Sequence, residues 1–345
     1  MKRKLFIIIP LFLIIGLVTL WAVKMKRTDL SFLSPLSQLE EKDEGEDRPL
    51  DKYQFARLKE NKPQPSQIKI EGQLGQSTGS TAYIFFYQSE GRKITGLINI
   101  PLGQPPIQGW PVIIMIRGYV DQKIYQTGLG TQRAAEVYAN HGFVTLAPDF
   151  LGYGGSDQPP ADIWEARFLR VVNVLDLLAS VSSLDQSSLG NLRVNPQRIG
   201  LWGHSNGGMI SLSLLAISGG DYPTVLWAPV SQYFPYDILY YAWEAEDRGK
   251  GLRKNLAEFE EKYDTESYSF DNFFEDIKAP VQLHQGTADP YIPLSWSDSL
   301  AQRLKSLGGQ VVYYTYSGAG HHMEGVWEQV VARDLEFFNQ LLQAD

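Results

Sequence analysis

The residues Gly203-His204-Ser205-Asn206-Gly207, followed by Gly208, stand between an apolar run ending at Trp202 and an apolar segment opening at Asn206. A strand that passes into a helix through so short a turn holds its central residue in a strained backbone conformation. Gly203 and Gly207 are needed at the flanks, because a Cβ at either would collide with the adjoining strand or helix. The turn lifts the Ser205 hydroxyl clear of a sheet and sets it at a helix N-terminus. A Gly/Ser-rich turn without chemistry has the same letters. The strand before it and the helix after it separate the two readings.

The rest of the chain from Gln67 supplies such a sheet. Thr81 to Gln88 and Lys93 to Ile100 read as a hairpin around Ser89-Glu90-Gly91-Arg92. Pro111 to Ile116 and Phe143 to Ala147 are continuous apolar runs, as buried parallel strands are. Further strands are expected at Arg198–Trp202, Thr224–Trp227, Val281–Gln285 and Gln310–Tyr316. Helices are expected at Thr131–Asn140, Ala161–Leu184, Asn206–Ile217, Leu294–Leu307 and Glu324–Leu342. The alternation predicts an α/β fold, a mostly parallel sheet with helices on both faces.

A serine at its ordinary pKa is a poor nucleophile and needs a base oriented by an acid. Asp289, in Gln285-Gly286-Thr287-Ala288-Asp289-Pro290, follows the strand at Val281 and projects onto the edge where Ser205 stands. Gly318-Ala319-Gly320-His321 follows the strand ending at Tyr316 and brings an imidazole to the same edge. His322 is the rival base, and His321 is preferred because the glycines before it permit a tight loop pointing it inward. His204 reads as a packed residue of the turn, and His141 and His284 as ordinary loop and strand residues.

Composition excludes much else. The chain has no cysteine, so thiol nucleophiles, disulfides and cysteine-ligated metals are ruled out. His321-His322-Met323-Glu324 has the wrong spacing for two ligands on one helical face, and no metal or other cofactor is expected. Gly128-Leu129-Gly130-Thr131-Gln132-Arg133 lacks the third glycine of a dinucleotide fingerprint. The whole chain carries −8, its first 27 residues +6, and the remainder therefore −14. So acidic a body repels phosphate backbones, and nucleic acid is not an expected partner.

The basic residues instead flank Leu5 to Val23, an uncharged run of 19 residues with the length to span a bilayer. The competing reading, a cleaved signal peptide, needs small residues at a cleavage site, where the chain has Leu20-Trp21-Ala22-Val23-Lys24. The expectation is a membrane anchor over residues 1–27 with the catalytic domain outside the cytoplasm. A charge-rich linker follows at 28–66, holding one short helix (Leu50 to Lys59), and the domain occupies 67–345.

These residues resemble the α/β-hydrolase superfamily, and within it the catalytic domain of prolyl oligopeptidase-family serine peptidases and their dienelactone-hydrolase-like relatives. Besides the turn at Ser205, the likeness rests on Gly142 through Ser156, on Ile277 to Val281 leading to Asp289, and on Tyr316 to His321. It implies a Ser205–Asp289–His321 triad and an oxyanion hole built from the N–H groups of Asn206 and Tyr119. Relatives carry His or Tyr where this chain has Arg117, so Arg117 is expected either to pair with Asp149 or another carboxylate as support, or to touch substrate. Members of the family usually carry a β-propeller upstream. With about 66 residues there, this chain is expected to be a catalytic domain without one.

Residues 231–278 form an insertion holding twelve aromatics, a quarter of its length against 12% for the chain. It reads as a small helical cap, with Tyr240 and Trp243 as candidate pocket residues. The expectation is a membrane-anchored serine hydrolase acting on peptide or amide bonds of small substrates. A carboxylesterase uses the same machinery. A non-catalytic binding protein on this fold is the remaining alternative. Oligomeric state is left open.

Overall fold

The computed structural model describes residues 47–343, apart from 187, 188, 190 and 191. The expected anchor, residues 1–27, lies outside the described residues. Among the described residues no helix is long and apolar enough to cross a membrane.

A nine-stranded sheet runs through the described residues in the order β1-β2-β3-β5-β4-β6-β7-β8-β9. Its strands are β1 (Lys69–Gln76), β2 (Ser80–Ser89), β3 (Arg92–Pro101), β4 (Trp110–Ile116), β5 (Val144–Pro148), β6 (Val194–His204), β7 (Thr224–Trp227), β8 (Val281–Gly286) and β9 (Val311–Tyr316). β1, β2 and β3 pair antiparallel, and β3 joins β5 antiparallel. From β5 through β9 every pairing is parallel. The β2–β3 hairpin turns through Glu90 (φ 47°) and Gly91 (φ 71°), two successive left-handed residues that match the twist of the strands.

The helices are α1 (Phe55–Glu60), α2 (Gln132–Asn140), α3 (Ile163–Ser180), α4 (Asn206–Ser218), α5 (Tyr236–Leu239), α6 (Lys250–Glu260), α7 (Leu294–Ser306) and α8 (Trp327–Phe338). α3 starts where the Asp162 carboxylate accepts the N–H groups of Trp164 and Glu165, both at 2.8 Å. Two glycines of β6 show that the sheet is covered on both sides. A Cβ on Gly200 would meet Phe338 of α8, and one on Gly203, on the opposite face, would meet Ser211 of α4. Val112 to Ile116 of β4 are fully buried, as the unbroken apolar run predicts.

Two readings are corrected. β1 was not among the expected strands: it is an edge strand, exposed along nearly its whole length and irregular at two places in its pairing. A strand with no buried face has no alternation to read. The second correction concerns the linker, because Arg48 onward belongs to the folded unit. The expected short helix is present as α1 with a single 3₁₀ turn before it. Its first residue Phe55 and the preceding Leu50 and Tyr53 are buried in the core. Phe55 stacks on Phe273 of the insertion at 5.4 Å between ring centres, and the Leu50 N–H donates to Tyr263 Oη at 3.4 Å. Three apolar residues among many charges were too few to mark a periodic face.

Candidate active site

The carboxyl ends of β4, β6, β7, β8 and β9 align at one sheet edge. Ile116 pairs with Gly203, His204 with Trp227, Trp227 with His284, and Gly286 with Tyr316. The loops leaving these ends carry Gly118, Ser205, Asp289 and His321, so sheet register alone draws them together.

Ser205 sits at φ 55°, ψ −119°, immediately before α4. A non-glycine residue there is strained by about 1–3 kcal/mol, and three backbone bonds hold it. Its N–H donates to Trp227 O, and its carbonyl accepts from Gly208 and Val230, each at 2.9 Å. The flanking glycines are required sterically: a Cβ on Gly207 would lie 1.9 Å from Ile116 O, and one on Gly203 2.6 Å from Gly207 O. Asn206 opens α4, and the first N–H groups of a helix have no partner within it.

The structure brings Asp289 and His321 together, with Asp289 Oδ2 2.8 Å from His321 Nδ1. Asp289 Oδ1 accepts the N–H groups of Tyr291 (2.8 Å) and Ile292 (2.9 Å), and Gln285 Nε2 donates to Oδ2 at 3.2 Å. Burial acts to raise this carboxyl, but the hydrogen bond from His321 and the two backbone donors outweigh it and hold Asp289 below the usual carboxylate range. An ionised carboxylate only accepts, so His321 Nδ1 carries a proton and neutral Nε2 keeps its lone pair. The rival His322 is exposed and does not take Asp289; its ring stands 5.2 Å from that of His321. Tyr291 packs edge-on against His321 at 5.2 Å. Neither Tyr291 nor Gln285 stood out in the sequence. Gln285 is one of three polar residues, with Gln282 and His284, in a strand buried throughout, so nothing in the sequence set it apart.

Gly118 abuts Ser205: a Cβ on it would be 3.0 Å from Ser205 Cβ. Tyr119, the next residue, is 78% exposed, so its side chain is not part of the packed site. Arg117 is buried. Its guanidinium donates to the carbonyls of Gly118 and Asp149, each at 2.9 Å, and lies 4.1 Å from the Tyr153 ring centre and 4.6 Å from that of Tyr125. This is the supporting arrangement, with one difference. Arg117 takes the Asp149 main chain, while the Asp149 carboxylate accepts from Thr95, Tyr125 and Thr127.

The insertion packs mainly onto the body. Phe234 and Phe259 meet Trp164 and Phe168 of α3, and Tyr268 stacks on Phe168 at 4.7 Å. Tyr240 is half-exposed against Trp296, and Trp243 is 70% exposed, outside this packing. The insertion reaches the site through Tyr241, whose hydroxyl donates to Tyr291 O at 3.2 Å.

A model of the prolyl oligopeptidase family matches residues 130–345, a stretch that includes Ser205, Asp289 and His321. An uncharacterised peptidase of Bacillus subtilis, YtmA, is 24% identical over 259 residues, covering 73% of this chain and 91% of that protein. An acetyl xylan esterase from Paenibacillus sp. R4 superposes with a TM-score of 0.58 at 20% identity, over 82% of this chain and 91% of that one. The acylaminoacyl peptidase of Pyrococcus horikoshii gives 0.54 at 19% identity, over 77% of this chain and 42% of that one. Those two likenesses establish the α/β-hydrolase fold. The chain belongs to the prolyl oligopeptidase family and is a serine hydrolase.

Proposed function

We propose that Ser205 is the nucleophile of this hydrolase, His321 its base and Asp289 the acid that orients the base. The observation that carries the reading is the 2.8 Å contact between His321 Nδ1 and Asp289 Oδ2, on the sheet edge where Ser205 is held at positive φ. Ser205 Oγ attacks the substrate carbonyl carbon as its proton passes to His321 Nε2. The carbonyl oxygen becomes an oxyanion, held by the N–H groups of Asn206 and Tyr119. The imidazolium, stabilised by Asp289, returns the proton to the leaving group, and an acyl-Ser205 ester remains. Water repeats the sequence and frees the acid.

The substrate proposed is a small peptide or amide, on the strength of the family. Ester hydrolysis is the second reading, and one observation favours it. A peptidase that holds its substrate's amine needs carboxylates aimed at the site. The insertion's Glu244 and Glu246 are both exposed and, among the described residues, have no contact tying them to the Ser205 edge. Membrane anchoring through Leu5–Val23 is proposed from the length and flanks of that run.

Three measurements test these proposals. A fluorophosphonate should label wild type and not Ser205→Ala; labelling that survives the substitution overturns the triad. Comparing kcat/KM on dipeptide amides and p-nitrophenyl esters decides between peptidase and esterase. Sedimentation with membranes that resists alkali supports the anchor, and release by alkali refutes it.

A further inference from the structure

His204 stands between three parts of the site. It directly precedes Ser205, and its Nε2 lies 3.0 Å from the main-chain oxygen of His321. Its Nδ1 faces Gly118, where a Cβ would come within 3.5 Å. Its ring lies 4.6 Å from that of His321, and the side chain is buried. A carbonyl oxygen only accepts, so Nε2 carries the proton and the ring has one tautomer. We propose that His204 is a positioning residue: through its Nε2–H bond to the His321 carbonyl it sets the loop bearing the base relative to the nucleophile and the oxyanion loop.

The rings of Trp202, His321 and His322 stand 6.2, 4.6 and 5.2 Å from that of His204, contacts without the directionality of a hydrogen bond. On its other side His204 borders a cavity of about 450 Å³, lined also by Trp202, Trp227, Trp327 and His322. The hydrogen bond is therefore the directional restraint. A second imidazole beside the base would oppose the reaction if it charged, since the base becomes an imidazolium. Burial first, and then the neighbouring His321, push His204 down to about 3, so it stays neutral near pH 7. The groups facing His321 are Asp289, His204, His322 and Tyr291, and Glu324 lies close to Gly320 in the same loop.

This inference rests on the triad reading, and its test separates the two. His204→Phe keeps a ring and removes the donor, whereas His204→Gln replaces the ring and keeps a donor at similar reach. With active sites counted by fluorophosphonate, the Phe variant should lose about 10–100-fold in kcat at unchanged KM, and the Gln variant should recover most of it. Proton NMR provides a readout independent of turnover. The downfield Nδ1–H resonance of His321 should persist in wild type and the Gln variant and be lost in the Phe variant. If Phe does not fold, His204→Met makes the same deletion with a side chain that can bend into the space. A donor-free variant that matches the Gln variant in kcat and keeps the resonance overturns the inference. So do equal losses in both variants, which would make the ring itself the requirement. If Ser205 fails to label, the triad reading falls and the positioning role falls with it, while a resonance that still follows the donor shows only that the His204 bond holds the His321 loop.

Discussion

Gln285 Nε2 donates to Asp289 Oδ2, the oxygen that also meets His321 Nδ1, and Ser297 Oγ donates to Gln285 Oε1 at 2.8 Å. The carboxylate is thus aimed from below by a buried amide that is itself fixed by α7. Asp289→Asn should leave the fold intact and lower kcat by roughly 10³–10⁴-fold, because an amide can impose the wrong tautomer on His321. Gln285→Ala should cost far less, about tenfold, since two backbone donors still hold Oδ1. Steady-state kinetics on one ester checks both, and equal losses would contradict this division of roles.

Gly207→Ala should fail to fold, or lose more than about 4 kcal/mol, because its Cβ would lie 1.9 Å from Ile116 O and 2.8 Å from Arg117 O, backbone atoms that cannot give way. Gly72→Ala on β1 meets nothing within 4 Å and should stay within about 0.5 kcal/mol of wild type. Urea denaturation compares the two.

A chain beginning at Arg48 should be more stable than one beginning at Gln67. The shorter chain loses the buried Leu50, Tyr53 and Phe55, each worth roughly 1.5–3 kcal/mol of burial. It also uncovers Phe273 and Tyr268 beside them. Thermal melting of the two measures the difference, and coincident melting curves would show that the segment contributes no stability.

His204 makes stability depend on pH. Its folded value, about 3, lies below the ordinary histidine value of about 6.5. Between those limits the unfolded chain binds a proton that the folded chain refuses. Stability therefore falls with decreasing pH, at up to about 1.4 kcal/mol per unit. Asp289, held low, adds a loss that begins only below the ordinary carboxylate range, as pH falls toward its folded value. His204→Gln should reduce the first slope to what His322, also held low by burial and by His321, contributes, and keep the second. Urea midpoints at pH 7, 6 and 5 test the first slope and at pH 4 and 3 the second; parallel lines for the two proteins between pH 7 and 5 would refute it.

The parallel core was legible because β4 and β5 are buried on both faces and must be apolar throughout, and the turn at Ser205 because its glycines have no substitute. Asp289 and His321 could be placed from strand ends alone. β1 was not legible, since its residues face solvent. Arg117 could be narrowed to support or substrate contact, but its acceptors are main-chain oxygens that no side-chain pattern encodes. The same holds for His204, whose acceptor is the carbonyl of a residue 117 positions away. The aromatic excess pointed to a cap over the site, whereas its use in packing against α3 depended on contacts distant in sequence.

The stacking of Phe55 on Phe273 also bears on how the molecule assembles. The Leu50–Tyr263 bond joins residues 213 apart, and Lys59 meets Asp276 across 217. During synthesis the N-terminal segment leaves the ribosome long before its partners exist, so Tyr53 and Phe55 must wait uncovered while the sheet forms. Contacts of such range are slow to find, although the entropy of closing the loop rises only with the logarithm of its length. Sealing of the insertion therefore cannot precede synthesis of residues 263–276, and until then these aromatic side chains are surface open to chaperones and to aggregation.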